Sequence, residues 1–299
     1  MGIRLPTHLP TPGGLGVLFD GVSFETLHRL VIVGRWYNDE EQNWTFSNLQ
    51  NPGDETKDSS LTRYLPKIAE SLEVTDFYVP SPVEFNGIVC KWQNLHKNIC
   101  LGPLHIHRGV KAEGCLIAPG KAFAISAAGC AILIGWRPED KTAGMPARLV
   151  VAHAGLKSVL AGVCGNLIAE LGYRKDESPT DSKFFIECSI NPRTYFHEWN
   201  NENGAANRAL CEDVEKYFGK QCLPGWEIGA ERVRGRINLA EMIGADLRRH
   251  GAPEKNISIG ASPDNWRGDG EEVFYTTRGP NPERNKKRNL IIVQNLASL

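Results

Sequence analysis

After Gly155, apolar residues recur at steps of three and four: Leu156, Val159, Leu160, Val163, Leu167, Ile168 and Leu171, with Gly172 where a C-cap belongs. This spacing predicts one amphipathic helix. A second is predicted from about Ala205 to Phe218, with Leu210, Val214, Tyr217 and Phe218 on one face and Gly219 at its end. A third, Asn238 to His250, carries its own start and stop signals. Asn238 and Glu241 have capping-box spacing, and Arg248, Arg249 and His250 put positive charge at the negative end of the helix dipole before Gly251.

Between these segments the pattern shortens to β-branched or alternating apolar runs. They are Leu30–Val33, Gly87–Cys90, Gly114–Ile117, Phe123–Ile125, Ala131–Trp136, Leu149–Ala152, Phe184–Ile190, Ile257–Ile259, Val273–Thr276 and Leu290–Val293. About ten strands and three long helices predict an α/β, mixed α+β chain with a mixed sheet core. Asn38–Ser60 and Arg174–Lys183 read as polar loops, neither long enough to be a domain linker, so residues 1–299 are taken as a single domain.

Composition narrows the function classes. The 299 residues are 41% hydrophobic and 23% charged, as in an ordinary globular chain, and 34 basic against 35 acidic residues leave a net charge of -1. No global field draws the chain to nucleic acid or to an anionic membrane, and Arg284–Arg288 reads as a solvated loop rather than a nucleic-acid patch. The longest uncharged stretch, Ala122 to Trp136, is 15 residues and too short to span a bilayer. Without a secretory apolar core near the N-terminus, the expected location is cytoplasmic. None of the eight cysteines forms a Cys-x-x-Cys pair, so most are expected to be buried, reduced thiols.

One segment combines structure with chemistry. Leu149-Val-Val-Ala-His153-Ala-Gly155 is a strand that ends at a histidine and turns into the first helix, which places the imidazole beside free N–H groups able to hold an anion. Upstream, Cys130 sits at a break of small residues between two apolar runs, where there is room for a ligand or metal beside the sulfur. Cys130 and His153 suit a nucleophile and its base. They suit metal ligands equally, with His96 of Gln93-Asn-Leu-His96 as the third. Spacing alone is a weak signal, since eight Cys and eight His offer many such triples and a buried thiol with two incidental histidines fits the same residues. His105 and His107 alternate along a strand-like run and can share one face as ligands or stand exposed.

In order along the chain, Gln93-x-x-His96, Ala112-Glu-Gly-Cys-Leu-Ile, Phe123-Ala-Ile-Ser-Ala-Ala-Gly-Cys130 and Val150-Val-Ala-His153-Ala-Gly resemble the laccase-domain family, also called polyphenol oxidase-like or purine nucleoside phosphorylase-like proteins. Its pattern is Gln-x-His-Gly, Ala-Asp-Ala-Leu-Val, Thr-Ala-Asp-Cys and His-Ala-Gly-Trp-Arg-Gly. Ile190-Asn-Pro-Arg-Thr-Tyr195, Ile237-Asn-Leu and Val273 to Arg278 with Arg288 to Val293 are similar to its later segments, so the resemblance runs over about residues 93–293.

The resemblance implies a laccase-domain or cysteine-hydrolase-like fold. It also implies a zinc held by His96, Cys130 and His153, copper fitting less well, and action on a purine nucleoside or similar small molecule, with phosphate as a possible co-substrate. By alignment, Tyr195 and Arg278 fall at pocket positions, while Gly155 and Lys157 would receive an anion. A metal-free hydrolase or deamidase, with Cys130 as nucleophile and His153 as base, and a non-catalytic family member are the alternatives. Two departures bear on the choice: Gly129 replaces the family's Asp before the cysteine, and Leu156-Lys157 replaces its Trp-Arg. Lys157 keeps a charge but loses the guanidinium's bidentate grip on phosphate.

Overall fold

Apolar runs with no polar alternation belong to strands covered on both faces, and the computed structural model shows what covers them. It describes residues 17–23, 25–34, 36–37, 40–41, 46, 60–82, 85–192, 195–199, 202–224, 234–260, 267–268, 271–272 and 288–297. Two large mixed sheets pack face to face. One has seven strands in the order Val17–Ser23, His28–Val33, Asn289–Asn295, Ala122–Ala127, Asp76–Tyr78, Leu104–Arg108, Lys97–Leu101. The other has six, in the order Ile257–Ile259, Lys183–Glu187, Ala131–Arg137, Arg148–Ala154, Gly114–Ile117, Val89–Lys91.

The period of two sorts each run between two cores. In the seven-stranded sheet, Leu30, Ile32, Phe123, Ile125, Ile291 and Val293 point to the layer between the sheets, where they meet Cys115, Ile117, Ile132, Ile134, Leu149 and Val151 of the six-stranded sheet. Their neighbours Val31, Val33, Ala122, Ala124, Leu290 and Ile292 face outward onto helix α1, Ser60–Ser71. On the far face of the other sheet, Ala131, Leu133, Val150 and Ala152 pack against helices α2 (Leu156–Leu160), α3 (Val163–Glu170), α4 (Gly204–Phe218) and α5 (Leu239–Arg249). Each fully buried Ile, Leu or Val contributes about 1.5–3 kcal/mol. The sheets therefore set the register, since a slip of one residue would exchange the two cores.

Most predicted elements are found within a few residues of their expected ends; Val273–Thr276 lies outside the described residues. Asn238 caps α5 as its spacing requires, its side-chain oxygen accepting from the Glu241 N–H at 3.2 Å. The helix predicted over Leu156–Leu171 is two, because Gly162 adopts φ +88 and turns the chain between α2 and α3. Helix α1 was not predicted: Pro66 lies within it and removes a helical N–H, yet Leu61, Tyr64, Leu65, Ile68 and Leu72 form a stripe whose burial outweighs that loss. Among the described residues no helix is long and apolar enough to cross a membrane. All eight cysteines are free, and six are buried.

Candidate active site

Strand parity assembles the site. His153 continues the face of Leu149 and Val151, and Cys130 lies two residues before Ile132, which pairs with His153 across the strands. Glu113 precedes Gly114, which is registered opposite Ala152, and its carbonyl accepts from the His153 N–H at 2.8 Å. All three side chains thus emerge on one sheet face, at the rim of the layer between the sheets.

Their contacts form a chain. The Glu113 carboxylate, fully buried, takes the Nδ1 hydrogen of His153 at 2.8 Å. That leaves Nε2 on the side of the Cys130 thiol, both atoms lying 3.5 Å from the position a Cβ on Gly155 would take. The backbone closes over the pair at Gly155, where a Cβ would stand 3.0 Å from His153 Cε1 and 3.5 Å from Cys130 Sγ. Glu113 is the one member of this candidate site that the sequence pattern did not single out. Its only signal was an acidic residue at the head of an apolar strand, in the segment that resembles the family's Ala-Asp-Ala.

Electrostatics separate Cys130 from the other thiols. Burial pushes Cys90 and Cys211 up to about 11, Cys222 up to about 12, and Cys115, Cys164 and Cys188 well above the ordinary value. Burial also works to raise Cys130, but the charge of the adjoining His153 imidazole, with a smaller part from the Arg288 guanidinium, outweighs it and holds the thiol below its usual range. Burial works to lower His153, and the Cys130 sulfur and the Glu113 carboxylate outweigh that, lifting it to about 10. The pair therefore favours thiolate and imidazolium. Of the loop predicted over Arg284–Arg288, residues 284–287 lie outside the described residues, and Arg288 acts on Cys130 through its charge. It is half-buried at the start of the last strand, where Asn289 pairs with Ala127 and bonds its carbonyl at 3.0 Å.

The remaining candidates fall elsewhere. His96 is exposed, its Nδ1 3.2 Å from the Asn94 carbonyl, and is not brought to Cys130 and His153; among the described residues no three His, Cys, Asp or Glu side chains are grouped to hold a metal. The flank of His153 is taken instead by Phe85, ring centroids 6.5 Å apart, with the Lys157 ammonium 5.9 Å over the Phe85 ring. Tyr195 packs against the helix-side core, its ring 5.0 Å from that of His197. Arg278 lies outside the described residues. The anion site expected at a long helix N-terminus is reduced, because α2 has five residues and little dipole to offer. His105 and His107 do share one face, one strand in from the edge of the seven-stranded sheet. His105 Nδ1 lies near Asn98 and Cys100, and His107 bonds Asp76 at 2.7 Å.

No protein-family model and no curated protein matches the sequence. The fold has known counterparts. Bacillus licheniformis hypothetical protein YfiH superposes with a TM-score of 0.62 at 14% identity, over 89% of this chain and 92% of that one. Protein NMB0706 of Neisseria meningitidis, assigned to DUF152, gives 0.62 at 13%, over 94% and 100%. YlmD from Geobacillus stearothermophilus gives 0.59 at 16%, over 96% and 94%. These are proteins of the laccase-domain, polyphenol oxidase-like family. The chain has the laccase-domain fold. At such identity the likeness speaks for architecture, and the site has to be read from its own residues.

Proposed function

We propose that this laccase-domain-fold protein is a metal-free enzyme that cleaves an amide or ester of a small molecule through Cys130. The observation that carries the reading is the buried Glu113 carboxylate bonded to His153 Nδ1 at 2.8 Å, with the Cys130 sulfur and His153 Nε2 meeting under Gly155, an arrangement that lowers the thiol's pKa. The Cys130 thiolate attacks the carbonyl carbon, and the carbonyl π electrons move onto oxygen. The first-turn N–H groups of α2, which follow Gly155 and have no intrahelical acceptors, would take that charge by direct hydrogen bonds, the short helix adding little dipole. When the carbonyl re-forms, His153 Nε2 gives its proton to the leaving nitrogen or oxygen. The thioester left on Sγ is then hydrolysed by a water whose proton returns to Nε2. Glu113 fixes the tautomer and favours the imidazolium.

A second reading is zinc-dependent action on a purine nucleoside, as the sequence resemblance implies. In its favour, a carboxylate on Nδ1 is how metal-ligating imidazoles are oriented. Among the described residues the donor set does not fit it: Cys130 and His153 supply two ligands, His96 is not grouped with them, and Phe85 holds the neighbouring flank. No step is derived through a metal.

Metal content and Cys130 alkylation decide between the two. Iodoacetamide labelling is mapped by peptide mass, because the exposed Cys100 also reacts. The proposal expects sub-stoichiometric zinc and rapid labelling of Cys130 without a chelator. About one zinc per chain, with Cys130 silent until chelator is added, overturns it.

A further inference from the structure

The largest fully buried side chain among the described residues is Arg137, 2% exposed. It ends strand Ala131–Arg137, which starts beside Cys130, so it stands roughly 20 Å from the thiol at about 3.3 Å per residue. Its Nη2 donates to the Pro146 carbonyl at 3.3 Å, and its guanidinium lies 5.8 Å from the Tyr173 ring centroid. Among the described residues its Nε has no hydrogen-bond partner, and no carboxylate is within ion-pair distance of the guanidinium. Arg148, registered opposite on the next strand, brings a second guanidinium to the same place. Both converge on Gly172, where a Cβ would stand 2.5 Å from Arg137 Nη1 and 3.1 Å from Arg148 Nη1. The acceptor of Arg148 Nη1 is again a backbone carbonyl, that of Glu170 at 3.1 Å. A buried guanidinium is costly without a counter-charge, and none is built in here.

Arg137 instead lines a cavity of about 280 Å³. Met145 and the Tyr173 ring give that cavity an apolar wall, and Asp140, Glu177 and Asp181 line it as well. Each carboxylate is held by its own loop. Asp140 Oδ1 accepts from the Thr142 and Ala143 N–H groups at 2.9 and 3.0 Å, Glu177 Oε2 from the Arg174 N–H at 2.9 Å, and Asp181 from the Tyr173 hydroxyl. The cavity thus has a buried cation and more exposed anions, and neither sign neutralises the other. We propose that it is a second binding site, for a free α-amino acid, whose carboxylate meets Arg137 and whose ammonium lies among the three carboxylates. Met145 and Tyr173 then face the ligand's side chain. The volume, just under the roughly 300–1,000 Å³ of ligand pockets in general, suits a molecule of that size. Cys130 takes no part in this site.

Calorimetric titration of the intact protein with each proteinogenic L-amino acid finds the side chain that the apolar wall accepts, and two derivatives of the best binder test its two ends. The methyl ester removes the carboxylate charge, and the N-acetyl form removes the ammonium. Each should bind roughly tenfold more weakly, because each forfeits a charge-assisted contact. Acetate and methylamine carry one of the two charges apiece and should give no binding at the same concentration. Arg137→Met keeps aliphatic bulk and should abolish binding, Asp181→Asn should weaken it roughly fivefold, and Cys130→Ser should leave it unchanged.

No binding by any amino acid at millimolar concentration would overturn the proposal, and so would a derivative, or acetate alone, that binds as well as the parent amino acid. Binding lost in Cys130→Ser and kept in Arg137→Met would place the ligand at the thiol and overturn it too. Should Arg137→Met fail to fold, Asp181→Asn and the two derivatives still decide, since a titration unchanged in all three removes the site. Each of these failures leaves the nucleophile reading of Cys130 standing, because none of them depends on its reactivity.

Discussion

Replacing Glu113 by Gln tests the site at its base. The change keeps side-chain shape and removes one buried charge bonded to His153 Nδ1 at 2.8 Å. A hydrogen bond to a charged group is worth about 1.5–3 kcal/mol and a neutral one about 0.5–1.5, so the imidazolium loses about 1–2 kcal/mol of support. At 1.36 kcal/mol per pKa unit that corresponds to about one unit. Glu113 also repels the Cys130 thiolate, but this is the smallest of the influences on the sulfur and offsets only part of the loss. The population of thiolate with imidazolium should fall about tenfold.

Its signature is in the pH dependence of iodoacetamide labelling at Cys130. The parent protein should show an acid limb below the ordinary thiol range, and Glu113→Gln should move that limb up by about one pH unit without abolishing reaction at high pH. Glu113 Oε1 has no hydrogen-bond partner among the described residues, so the Gln amide nitrogen would be left there as an unmet donor and stability should drop by about 1–3 kcal/mol. An acid limb that stays in place, or shifts downward, in a folded variant would refute the argument that Glu113 sustains the pair.

Two further outcomes follow from the same geometry. Burial raises Glu187 from 4.5 to about 7, so its folded form binds a proton more tightly than the unfolded chain does; the stabilising contribution is full below 4.5 and is lost as pH rises through about 7. Glu187→Gln should therefore unfold at higher denaturant than the parent at about pH 8, by on the order of 1–3 kcal/mol, and differ little at about pH 4. Equal effects at both values would show that desolvation is not the cause. Gly129→Asp would restore the residue the family carries before its cysteine, but φ at this position is +98, which a side chain rarely adopts. A loss of about 1–2 kcal/mol in thermal or denaturant unfolding is expected, and an unchanged midpoint would show that the turn can relax.

Local signals were enough for much of the framework. The Asn238 cap, the run after Gly155 and the paired apolar strands each carry their instructions in neighbouring residues, because helix periodicity, capping and strand alternation are short-range effects. The laccase-domain fold was legible through ordered motifs, and Cys130 with His153 through a strand that ends at a histidine and a cysteine set among small residues. What the chain alone left open depends on which strands become neighbours. Glu113 gains its role because its strand lies beside that of His153, and Arg288 because the last strand of the chain pairs with Ala122–Ala127, just before Cys130. His96, matched by spacing, is left out because the chain after Trp92–Asn94 crosses to the edge of the other sheet. Pro66 argued against a helix that the apolar face of the seven-stranded sheet required. Register and burial couple residues far apart in sequence, and where they conflict with a local signal the larger buried area prevails.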